Sequence, residues 1–108
     1  MGGRGGSGPS KSTTALGPEA QVEQAIRDTL AGKGRGPERW LSIADLEDAM
    51  PGMSRDTFER TIMNMSVGPN ATLRILPEEN QKTLTPRDRK AAIRMGNENN
   101  HIVQIRRP

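Results

Sequence analysis

The sequence predicts one α+β domain: a three-helix core joined to a small antiparallel sheet that ends in a C-terminal hairpin. Three observations carry this. Helix-start signatures at Gly17-Pro18-Glu19, Ser42 and Ser54 each precede apolar residues recurring at helical spacing. The clearest strand signals, at 72–76 and 101–106, fall towards the end of the chain. The 108 residues include 23 Leu, Ile, Val, Met, Phe and Trp from Gly17 onward, enough for one small core.

The elements follow in order. Residues 1–16 hold Gly2, Gly3, Gly5, Gly6, Gly8 and Pro9 among Ser and Thr, and are expected to form a disordered Gly/Ser-rich tail. Such a stretch buries too little apolar surface to offset its ordering entropy. The folded domain is expected over 17–108. Pro18 suits the first helical position, because its missing N–H would be unpaired there anyway. Val22, Ala25, Ile26, Thr29 and Leu30 share one face of this first helix, with Glu23 and Arg27 four apart on another. Gly32 and Gly34 end it. A short extended segment follows at 39–41, with Trp40 expected to anchor the core.

Ser42 starts a short second helix whose Ile43, Leu46 and Met50 face inward, with Asp45, Glu47 and Asp48 on a solvated face. Pro51-Gly52 breaks it. Ser54 caps a third helix with Phe58, Ile62 and Met65 on one face, Thr61 beside them, and Met63 on the outer face. Gly68-Pro69-Asn70 ends it. After the strand at 72–76, Thr85-Pro86 marks another helix start. Residues 86–95 fit either one helix or a single turn followed by a strand at 92–95, and the second is expected. Residues 96–100 then read as a five-residue turn between the strands 92–95 and 101–106, which makes a hairpin. His101, at the head of the last strand, is read as satisfying a local hydrogen bond.

Several function classes are disfavoured. Without cysteine there is no disulfide and no thiolate metal site, and one histidine builds no cluster. No apolar run reaches the ~18 residues of a membrane span, and 1–16 has no signal-peptide apolar region. Gly32-Lys33-Gly34-Arg35-Gly36 lacks the spacing and strand-to-helix context of a phosphate loop. No nucleophile–base pair emerges. The expectation is a cytoplasmic protein that is not an enzyme, with no cofactor, no metal and no membrane. Charge is distributed unevenly. Residues 17–70 carry six basic and nine acidic side chains, a net of −3, whereas 71–108 carry eight basic and four acidic, a net of +4. A basic third points towards a polyanion.

Helix, short strand, helix, capped helix, strand and basic hairpin, over roughly 18–107, resemble the winged helix-turn-helix superfamily. The stretch 84–96, with His101 following, is also similar to C-terminal segments of small actinobacterial proteins, and that likeness carries no function. The first resemblance implies double-stranded DNA as partner, in transcriptional regulation or DNA maintenance. The third helix would enter the major groove and the hairpin would hold the backbone. On the outer face of that helix, Arg55, Thr57, Arg60 and Asn64 are the candidates for base and groove contact, Arg and Asn being suited to bidentate pairing with base edges. The competing reading makes Arg55–Glu59 and Asp56–Arg60 ordinary i, i+4 pairs. Lys82, Arg87, Arg89, Lys90, Arg94, Arg106 and Arg107 are the candidates for phosphate contact. The alternative function is a protein-interaction module, in which the helix-turn-helix face and Met63 dock a partner.

Overall fold

The computed structural model describes residues 17–106. The tail expected at 1–16 and the phosphate candidate Arg107 lie outside the described residues. Helix α1 spans Pro18–Gly32 with Pro18 in its first turn, and buries Val22, Ile26 and Leu30. Gly34, at φ 72°, takes the left-handed conformation just beyond the helix end. Strand β1 (Leu41–Ser42) leads directly into α2 (Ile43–Asp48), capped by the Ser42 side chain accepting from the Asp45 N–H. Helix α3 (Arg55–Met65) is capped in the same way by Ser54. Its Phe58, Thr61, Ile62 and Met65 are buried, as their spacing predicts.

The chain then forms β2 (Leu73–Leu76), a 3₁₀ turn (Gln81–Thr83), α4 (Pro86–Ala91), β3 (Ile93–Met95), β4 (Glu98–Asn100) and β5 (Ile102–Ile105). Of the two readings of 86–95, the turn followed by a strand is nearer to what is found, with the turn extended to a six-residue helix and the strand starting at Ile93. Thr85 and Asp88 close a reciprocal capping box on α4.

Strand pairing corrects the expected hairpin. The last strand does not pair with 92–95. Instead β5 lies between β1 and β2, antiparallel to both, in the order β1-β5-β2. β3 pairs with β4 through a two-residue turn, Gly96-Asn97, so residues read as a long loop are half strand. Only the first turn residue has positive φ (Gly96, 63°), the pattern of a II′ hairpin turn. The polar strand Glu98-Asn99-Asn100 is held in part by Asn100. Its buried Nδ2 donates to the Ile93 carbonyl at 3.0 Å. Asn100→Ala leaves that carbonyl without its side-chain donor and is expected to cost about 1–2 kcal/mol, read from urea unfolding, with early loss of amide protection in β3 and β4.

The inner face of the three-stranded sheet carries Leu41, Leu73, Ile75, Val103 and Ile105. It closes one core with α1, α2 and α3. Trp40 departs from expectation: it is half-buried and stands outside that core. Residues 77–101, here called the insert, separate the paired strands β2 and β5.

Candidate functional site

The candidate surface is α3 and the insert beside it. The exposed residues of α3 are Asp56, Arg60 and Asn64. Thr57 is half-buried, and its Oγ1 accepts from the Ser54 hydroxyl at 3.0 Å. With Arg60, Thr61 and Asn64, Thr57 lines a shallow cavity of about 380 Å³ against the start of α1. Arg60 pairs with Asp56 one turn away, and both side chains are largely in solvent. Met63 is not on the outer face. It is half-buried and packs on the core, while the Ser66 Oγ beside it reaches the Met95 Sδ of β3 at 3.5 Å. That contact joins the end of α3 to the insert, which the sequence places in no fixed relation to it.

Arg55 is held inside the fold. Its guanidinium donates to the Ala91 carbonyl at 3.1 Å and the Ala92 carbonyl at 2.9 Å. It also pairs with Glu47 at 3.2 Å and Glu59 at 2.8 Å, and lies over the Phe58 ring, 5.8 Å from its centroid. One side chain therefore joins α2, α3 and the end of α4. Both i, i+4 pairs of α3 form, Arg55–Glu59 and Asp56–Arg60.

Arg87 is exposed but committed to the fold by its carboxylate partners. It pairs with Asp45 at 2.8 Å and with Asp48. The acidic face of α2 is thus an ionic seam with α4 and not a merely solvated surface, since Lys33 joins Asp45 at 3.4 Å as well. The hydrogen bond from Arg87 holds the Asp45 carboxyl below its ordinary 3.8, with Lys33 adding to this against the opposing effect of burial. The same two aspartates raise Arg87. Asp88 is also lowered, first by the Thr85 backbone N–H of the capping box and further by the Thr85 and Ser42 hydroxyls.

A carboxylate whose folded value lies below its unfolded one contributes stability above the unfolded value, and that contribution is lost as pH falls through the folded one. Asp88→Asn is therefore expected to destabilise the domain by roughly 1 kcal/mol at pH 7. That gap should narrow as pH falls from about 5 towards 3. Urea midpoints of both proteins across that range check it. A gap that stays constant with pH would remove the carboxylate from the account.

The remaining basic candidates stand differently. Lys82, Lys90, Arg94 and Arg106 have exposed side chains with no carboxylate partner among the described residues. Arg89 donates to the Gln81 carbonyl at 3.2 Å and keeps its charge uncompensated. Arg74, which sequence reasoning passed over, is exposed on the outer sheet face opposite Gln104. Its place in an alternating strand was the available signal.

Among the described residues no group of three or more His, Cys, Asp or Glu is arranged to hold a metal ion. Among them, too, no helix is long and apolar enough to cross a membrane. Comparison of the chain with family models, curated proteins and solved structures returns no match, so the functional reading rests on geometry.

Proposed function

We propose that this is a DNA-binding domain of winged-helix type, in which an insert-bearing wing holds the phosphate backbone and the exposed face of α3 meets a groove. One observation carries the reading: of the seven described cations of the last third only Arg87 has a carboxylate partner, whereas four of the six in 17–70 are paired and Arg35 and Arg39 are not. Arg27, Lys33, Arg55, Arg60 and Arg87 each have a carboxylate partner. Arg74, Lys82, Arg89, Lys90, Arg94 and Arg106 have none among the described residues. Unpaired surface cations release counterions when they meet phosphates, which is the main source of sequence-independent affinity. The element order and the sheet order β1-β5-β2 suit the winged-helix arrangement. Arg60 and Asn64 are the side chains of α3 available for base edges, and Arg55 is not assigned a DNA contact because it is committed to the fold.

The alternative, a protein-docking module, keeps the acidic helix-turn-helix half as its surface but not Met63, which is half-buried against the core.

The test is a salt series of binding to a random duplex. Wild-type affinity should fall steeply with salt. Arg94→Ala/Arg106→Ala should flatten the slope of log K against log salt by about 1.8, at about 0.9 per phosphate contact. Arg60→Ala/Asn64→Ala should leave the slope nearly unchanged and weaken only a selected site. Binding no tighter than ~100 μM at low salt, the weak edge of ordinary non-specific association, would overturn the reading.

A further inference from the structure

The insert also borders an open pocket of which the DNA reading uses only Arg89. A cavity of about 460 Å³ is lined by Pro77, Gln81, Arg89, Glu98, Asn99 and His101. That volume lies within the range of small-ligand sites.

His101 is the key residue. It is only 7% exposed. Its Nδ1 accepts the backbone N–H of Glu78 at 3.1 Å. A neutral imidazole that accepts at Nδ1 carries its proton on Nε2, so the other ring nitrogen is a donor. Nε2 has no acceptor among the described residues. Buried donors rarely stay unpaired, and the cavity His101 borders is the space from which an acceptor can come. The local hydrogen bond expected from sequence is present, and it is the bond that turns the second nitrogen into a donor.

Arg89 supplies the charge. Its guanidinium is steadied by the Gln81 carbonyl at 3.2 Å, a contact that leaves its positive charge unneutralised. A fixed neutral donor and a cation on one cavity select an anionic oxygen. Glu98 on the same wall restricts the choice. Its carboxylate repels a dianion and accepts from a ligand that carries its own donor.

We propose that this cavity binds a small monocarboxylate bearing a hydroxyl or ammonium group. The carboxylate takes the His101 Nε2–H and the Arg89 guanidinium, and the ligand's donor meets Glu98. The Gln81 and Asn99 amides bound the remaining wall. The occupant would sit at a structural joint. The His101 N–H donates to the Leu76 carbonyl at 2.9 Å, and its own carbonyl accepts from the Ile43 N–H at 2.9 Å, so His101 ties the site to β2 and to α2. This inference shares only Arg89 with the DNA reading, and its test uses no nucleic acid.

The experiment follows the imidazole nitrogens of His101 and the side-chain resonances of Arg89 and Asn99 by NMR in the full chain. The probes are glycine, lactate, inorganic phosphate and sodium chloride, at matched ionic strength. Glycine or lactate should move the His101 Nε2 resonance saturably, and whichever binds identifies the donor as ammonium or hydroxyl. Arg89→Met, at an exposed position where folding should survive, should weaken that binding by about tenfold, the loss expected for one charge-assisted contact. His101→Gln should abolish it, with retained chemical-shift dispersion as the check on folding. A shift that never saturates, or that chloride reproduces, means an adventitious ion only and overturns the site. Phosphate binding tighter than both carboxylates overturns the ligand class.

Discussion

Replacing Phe58 with alanine should cost about 3–5 kcal/mol, measured as a drop in the urea midpoint at unchanged slope. The side chain is 1% exposed on α3 and belongs to a core otherwise made of aliphatic side chains and methionine. Phe58 is the chain's one phenylalanine, there is no tyrosine, and Trp40 stands outside that core, so no second ring shares its role. A domain of this size has a total stability on the order of 5–10 kcal/mol, so the variant should sit near the edge of folding at room temperature. Phe58→Leu keeps much of the volume and should cost about 1–1.5 kcal/mol. If alanine and leucine cost the same, the ring is not filling the space between α1, α3 and the sheet, and the described packing fails.

Helix starts were legible because caps are local. Pro18, Ser42, Ser54 and the Thr85–Asp88 box each act within one turn of the chain, so the residues that specify them are adjacent in sequence. Sheet pairing was not legible for the opposite reason. The strongest strand was assigned its nearest upstream neighbour, whereas β5 takes its partners from β1 and β2. Alternation fixes that a face is buried and does not say against which strand. The Asn-rich residues 98–100 read as turn because asparagine is a poor strand former; their pairing depends on Asn100 finding a carbonyl inside the fold.

Charge was half legible in the same sense. The basic bias of the last third is a property of composition and survives folding. Which cations are free is decided by contacts distant in sequence. The pairs Arg87–Asp45 and Arg55–Glu47, distant in sequence, capture one residue expected to contact phosphate and one expected to contact bases. Met63 shows the same limit for apolar residues, since its packing against the core is set by the tertiary fold and not by the helical wheel.

Arg55→Met should destabilise the domain by about 2–3 kcal/mol, although the side chain is one-third exposed. Helix α4 has only six residues. A helix that short does not hold together by itself, and its last carbonyls have no partners within the helix. Arg55 gives the Ala91 and Ala92 carbonyls two donors and is itself held by Glu47 and Glu59. Methionine keeps the stem over Phe58 and removes all four polar contacts. Lysine should recover little, because one ammonium cannot reproduce the planar fork that meets two carbonyls and two carboxylates together. The loss should be regional as well as global: amides of α4 and of the β3–β4 hairpin should exchange well before those of α1. Arg87→Met serves as the contrast, since its ion pairs lie more in solvent and should move the urea midpoint less. If the two variants shift the midpoint equally, exposed ion pairing rather than carbonyl capture holds the insert, and Arg55 returns to the pool of side chains free to meet a ligand.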